Sequence, residues 1–187
     1  MKLKLKNIIL LIALFLIPNA KSAETIYLYQ GTLSRTIKIE ELSEFKKRKI
    51  PSKKLKNIIK ITNQNEKDLF SVLSYEIEVP LKASSKLMNS KIGEVFLRRF
   101  SKIIYPNKIF DTTIGTKAIR SGIILASYNN NQKINIIDFF KAYPNKNIAI
   151  NLNALRKTLK KAESLKELLE FYSNSPFKKL KDGSSSI

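Results

Sequence analysis

Apolar positions recur at two different spacings along Thr25–Phe45. Ile26 and Leu28, then Leu33, Ile37 and Ile39, alternate with polar or amphipathic residues as half-buried strands do. Gly31 lies between the two runs, so Gln30-Gly31 or Gly31-Thr32 predicts a hairpin turn. From Glu40 the period lengthens to that of a helix over about 40–47, burying Leu42 and Phe45. Its first turn is acidic (Glu40, Glu41) and its last is basic (Lys46 to Lys49), which suits the helix dipole. Pro51 opens a second helix carrying Leu55, Ile58 and Ile59. A third, over 65–74, turns Leu69, Phe70 and Leu73 inward, and 75–80 reads as extended because Pro80 disfavours helix just before it.

A longer helix is predicted over 91–104. Ile92, Val95, Phe96, Phe100, Ile103 and Ile104 form its apolar stripe, and Pro106 stops it. Residues 112–128 read as a central helix in which Ala118, Gly122 and Ala126 recur every four residues, so that another element can approach closely. It is too short, and Lys117 and Arg120 lie too near its middle, for a membrane span. After the polar stretch YNNNQK, Asn135 and Asp138 stand in a capping-box arrangement ahead of a helix that buries Ile136, Phe139, Phe140 and Tyr143 and ends before Pro144. Ile148, Ile150 and Leu152 alternate as a third strand. A last helix over 153–172 carries Leu155, Leu159, Ala162, Leu165, Leu169 and Tyr172 on one stripe, and 173–187 reads as a disordered tail. The expectation is a single α+β domain, mostly helical, with a small antiparallel sheet made from the N-terminal hairpin and the strand near 148–152.

The front of the chain has a different pattern. Lys2, Lys4 and Lys6 precede the apolar run Ile8–Ile17, Pro18 ends it, and Ala20-Lys21-Ser22 offers small residues for cleavage. That is the layout of a secretory signal peptide over 1–22, with residues 23–172 as the folded domain. The protein is expected to be exported to a periplasm, lumen or extracellular space, or membrane-anchored if the leader is not cleaved. No cysteine is present, so stability rests on packing without disulfides, and the absence of histidine as well excludes a zinc site of the usual nitrogen–sulfur type. No cofactor is expected.

Charge adds a class of partner. The 187 residues hold 35 Lys+Arg against 15 Asp+Glu; without the four lysines of residues 1–22, 31 basic residues face 15 acidic ones, a net charge of about +16. Such a surface attracts an anionic membrane surface or an acidic polymer; equally, it fits a Lys-, Asn- and Ile-rich composition with the basic residues spread along the chain. Lys91, Arg98 and Lys102, with Arg99 beside them, lie opposite the apolar stripe of the helix over 91–104. They are a candidate anion-binding face for a headgroup, phosphate or acidic partner, or else a solvated helix face. Nucleic acid is not the expected partner, because Phe96, Phe100, Phe139 and Phe140 fall at core spacing and no stacking strand is visible. Tyr27 and Tyr29 fall on the outer side of the first strand, a possible contact surface.

Catalytic patterns are missing. With no histidine there is no Ser-His-Asp triad, none of the five glycines gives G-x-S-x-G, and no phosphate-cradling glycine loop occurs. Glu76 and Glu78 can in principle act as acid and base, but read better as solvated charges beside Pro80.

The blocks IYLYQGTLSRTIKIEELSEF, KIGEVFLRRFSKII and AIRSGIILASYNNNQKINIIDFFKAYPNKNIAINL, following an export leader, resemble a domain of unknown function. In that family the domain lies N-terminal to secreted α/β-hydrolase domains of cyanobacteria. The resemblance covers about 24–172. It implies a strand pair and short helix, a Gly-Glu-containing helix, an alanine-rich helix, a short helix ending at proline, a strand and a last helix. The family often has a small capping hydroxyl where Lys38 stands, so Glu41 is expected to lack its capping-box partner. The hydrolase domain is expected to be missing, so no catalytic residue is carried over. The resemblance points to an exported, non-catalytic accessory module whose partner is a hydrolase made as a separate chain, or another exported protein.

Overall fold

Gly31 turns the chain first. In the computed structural model, which describes residues 22–62 and 64–161, β1 (Thr25–Gln30) and β2 (Leu33–Lys38) pair antiparallel with Gln30 opposite Leu33. The loop is therefore Gly31-Thr32, and Gly31 takes φ +61° where its neighbour does not, the II′-like arrangement that matches strand twist. Residues 1–21 of the expected leader, the stripe residues Ala162, Leu165, Leu169 and Tyr172, and the tail over 173–187 lie outside the described residues.

Helices follow in quick succession. α1 (Ile39–Arg48) starts at Ile39, one position into what the alternation read as strand, and buries Ile39, Leu42 and Phe45. Lys38 is its N-cap and an ammonium has no acceptor to offer. Glu41 nevertheless accepts from the Lys38 backbone N–H at 3.3 Å and from Ser52 Oγ at 2.9 Å, so its carboxylate is not left without partners. Ser52, rather than Pro51, caps α2 (Lys53–Ile61), accepting from the Leu55 N–H at 3.1 Å. Asn65 caps α3 (Glu66–Ser74).

The two-residue strand β3 (Ile77–Glu78) precedes α4 (Leu81–Met88), a helix absent from the sequence expectation, which buries Ser84 and Met88. α5 (Lys91–Phe100) is shorter than expected. Ile104 leaves the helix to begin β4 (Ile104–Pro106), so Pro106 sits in a strand instead of stopping a helix. The buried face of α5 is also turned. Gly93 and Leu97 point inward with Phe96 and Phe100 half-buried, while Ile92 and Val95 are exposed.

α6 (Thr112–Asn129) is the central helix, as its composition predicts: Gly115, Ala118, Ile119, Gly122 and Ala126 are all buried along it. The small face meets side chains, with Phe139 Cε2 only 3.0 Å from where a Cβ on Gly122 would stand. β5 (Lys133–Ile134) pairs antiparallel with β3, and Ser127 Oγ donates to the Val79 carbonyl at 2.6 Å to hold that small sheet against α6. α7 (Ile136–Ala142) has the expected capping box: Asn135 Oδ1 accepts from the Ile137 and Asp138 N–H groups, and Asp138 accepts from the Asn135 N–H at 3.0 Å. β6 (Asn147–Asn151) then leads directly into α8 (Leu152–Lys161).

The molecule is a single, mostly helical α+β domain, but its main sheet is mixed, not antiparallel. The strand order is β2-β1-β6-β4; β6 runs parallel to β1 and antiparallel to β4. A parallel neighbour requires a long crossover, and the helices from α1 to α7 provide it. Ile148, Ala149 and Ile150 are all buried, as befits a strand paired on both edges. One core joins Ile26, Ile37, Ile148 and Ile150 of the sheet to Phe45, Leu55, Leu97, Ile119, Phe140 and Tyr143 of the helices.

Candidate functional site

Two surfaces combine exposure with organised chemistry. The first is the face of the sheet that does not meet the core. Alternation along β1, β6 and β4 sends Tyr27, Tyr29, Ala149 and Tyr105 to that side. The Tyr27 and Tyr29 rings lie nearly parallel, centroids 6.5 Å apart, and Tyr29 OH donates to Asn107 Oδ1 at 2.8 Å. Tyr105 stands opposite Ala149, as Tyr27 does from the other side, and its ring meets that of Phe110 at 5.6 Å. Burial, and secondarily the nearby Tyr29 phenol, hold the Tyr105 hydroxyl above the usual tyrosine pKa. Phe110 is 81% exposed. The spacing of Tyr27 and Tyr29 gave half of this surface; Tyr105 and Phe110 join it only through the β4–β6 pairing.

The second surface is a cleft between α5 and α6. It has a volume of about 110 Å³ and is lined by Glu94 and Arg98 of α5 and by Thr113, Thr116, Lys117 and Arg120 of α6. The positions on α6 recur at i, i+3, i+4 and i+7, which places them on one helical face. Arg98 Nε and Nη2 donate to Glu94 Oε1 at 3.2 and 2.9 Å. Arg120 Nε donates to the Met88 carbonyl, an orphan acceptor at the end of α4, at 2.9 Å, and this fixes the guanidinium over the cleft. Thr116 is buried, and its hydroxyl has no hydrogen-bond partner among the described residues. The N–H groups that open α6 are occupied by the Asp111 carboxylate. Bonds from the Thr113 and Ile114 N–H groups, with Lys117 as a weaker contributor, lower the Asp111 pKa. Positive charge in the cleft therefore comes from side chains.

Of the four cations named as a candidate face, all are exposed and only Arg98 lines the cleft. Lys91 opens α5, Arg99 is exposed near its end, and Lys102 lies in the turn before β4. Glu76 and Glu78 form no joint site: Glu76 pairs with Lys46 Nζ at 3.8 Å, and Glu78 lies in β3 opposite Lys133. Among the described residues, no group of three acidic side chains gathers to hold a metal ion, and no helix is long and apolar enough to cross a membrane.

Among the described residues, the fold and these surfaces define a basic, mostly helical α+β domain with a half-exposed aromatic sheet face and a cationic cleft. A family model described as "Alpha/beta hydrolase of unknown function (DUF1400)" matches residues 22–151, more than half of the chain, and the chain belongs to that family. No curated protein and no solved structure matches it.

Proposed function

We propose that this domain is an exported, non-catalytic docking module of an α/β-hydrolase system, holding a hydrolase domain against the aromatic face of its sheet. The observation that carries the reading is the aromatic surface of Tyr27, Tyr29, Tyr105 and Phe110 around Ala149. Tyrosines with an apolar body and a polar tip, beside one protruding phenylalanine, are the composition of a protein-binding surface. The family label supplies the kind of partner. The lack of histidine means that a Ser-His-Asp arrangement cannot be built from these 187 residues.

The test is a pull-down from the exported fraction at physiological salt, with the full mature chain as bait. A retained polypeptide carrying G-x-S-x-G is expected, and Phe110→Asp and Tyr105→Asp baits should lose it. Retention of no such polypeptide, or equal retention by both variants, overturns the reading.

A further inference from the structure

We propose that the cleft between α5 and α6 binds a phosphate group. Three cationic side chains and one carboxylate line it, and Arg98 already satisfies that carboxylate's Oε1, so the cleft carries a net charge of +2. Arg120 is oriented by its Nε bond to Met88, and its terminal nitrogens have no hydrogen bond or ion pair among the described residues. Lys117 is exposed at the rim, makes no salt bridge among the described residues and interacts only weakly with the Asp111 carboxylate. A cleft of about 110 Å³ has room for a tetrahedral oxyanion.

Thr116 is the second, independent pointer. It lines the cleft, is 5% exposed, and carries a buried hydroxyl with nothing to bond. Leaving such a group unpaired is costly. A threonine on a helix has two accessible rotamers. As it stands the hydroxyl is shut off from solvent, so donation to an oxyanion in the cleft is part of the proposal and requires the second rotamer.

Glu94 makes the site selective. Its Oε2 accepts no hydrogen bond among the described residues. A carboxylate oxygen repels a fully deprotonated anion but accepts from a P–OH group. Inorganic phosphate near neutral pH keeps such a proton and sulfate does not, so the geometry favours inorganic phosphate over sulfate, whereas a phosphate monoester, with its second pKa of about 6, has mostly lost that proton. The shared chemistry is the phosphoryl group, whether free in solution or on a lipid headgroup.

Isothermal titration of the full mature chain with sodium phosphate, at ionic strength held constant with sodium chloride, tests this. Saturable binding of phosphate and weaker binding of sulfate are expected. Lys117→Gln, which also removes a minor electrostatic contact with Asp111, should weaken phosphate binding about tenfold, and Arg120→Gln at least as much. Lys91→Gln and Arg99→Gln should leave it unchanged, and Glu94→Gln should narrow the gap between phosphate and sulfate. Equal heats for phosphate and sulfate, or equal losses from Lys91→Gln and Lys117→Gln, overturn the proposal, because either result means that diffuse charge is acting. Vesicles of phosphatidylcholine with and without phosphatidic acid separate the sources. Phosphate-sensitive binding to the acidic vesicles, lost in Lys117→Gln, assigns the site to a headgroup; calorimetric binding without it assigns the site to a soluble phosphate.

Discussion

Tyr143 carries a phenol into the core with no partner for its hydroxyl among the described residues. The ring is 0% exposed and stands edge-on to Phe139, centroids 5.7 Å apart. Burial alone pushes its pKa far above the usual tyrosine value. In the unfolded chain the same phenol ionises near pH ~10. Above that pH the unfolded state has lost a proton that the folded state keeps, so the stability contribution of the neutral phenol is full below pH ~10 and declines as pH rises, by about 1.4 kcal/mol per pH unit. Tyr143→Phe removes both the orphan hydroxyl and this slope. At about pH 8 the variant should be as stable as the parent or up to ~1 kcal/mol more stable. Between about pH 10 and pH 11, urea unfolding should show a shallower loss for the variant; lysines titrate alike in both proteins and cancel in the comparison. Equal losses in the two proteins would mean that the phenol reaches water. The helical spacing of Phe139, Phe140 and Tyr143 revealed the burial. The missing hydrogen bond was not legible, since it depends on what other elements bring to the hydroxyl.

The corner between α4 and α5 shows how an element can be hidden in a sequence. α4 has Ser84 at a buried position, and its apolar residues Leu81, Leu87 and Met88 do not make a stripe, so periodicity passes over it. α5 has two overlapping apolar patterns, and the one that packs includes the residue with no side chain. Gly93 lies against the end of α4: an added Cβ would fall inside the contact distance of the Leu87 carbonyl oxygen and 3.1 Å from Met88 Cα. A face defined by a glycine contributes nothing to a count of apolar residues, so the apolar spacing points to Ile92 and Val95, which the structure leaves exposed. Ile103 and Ile104 extended the same pattern past the helix, which concealed β4. Two effects oppose each other in Gly93→Ala. Helix propensity favours alanine by about 1 kcal/mol, whereas displacing backbone atoms costs about 1–3 kcal/mol or more. The obstacle here is a backbone carbonyl that also accepts from Ser90 Oγ at 2.7 Å, so it cannot step aside freely. The net expectation is a lower denaturation midpoint with an unchanged slope. A neutral or stabilising substitution would mean that α4 and α5 do not meet this closely.

At the scale of the molecule, the alternation along 25–39 and 148–152 identified strands but neither their order nor their direction, which depend on how α1 to α7 carry the chain back to β1. The cationic cleft was illegible for a related reason. Lys117 and Arg120 looked like interruptions of an apolar helix until α5 placed Glu94 and Arg98 across from them. Net charge, by contrast, is read directly from composition, and at about +16 for residues 23–187 it makes its own prediction. Exposed lysines such as Lys47 of α1, Lys56 and Lys60 of α2, Lys82 of α4 and Lys133 of β5 are spread over four elements. Their attraction for an anionic surface is therefore additive and screened, with a Debye length of about 10 Å at 0.1 M salt and about 3 Å at 1 M. A chain of residues 23–187 should co-sediment with vesicles containing anionic lipid at low ionic strength and be released by about 0.5 M salt. Lys91→Gln and Lys117→Gln should each shift that release only slightly and by similar amounts, because each removes one of 31 basic residues. Partitioning that ignores salt or lipid charge would show that the excess positive charge does not govern contact with membranes. A release profile displaced much further by Lys117→Gln than by Lys91→Gln would instead trace the vesicle binding to the cleft, and would make the phosphate site, not the spread of lysines, the principal contact.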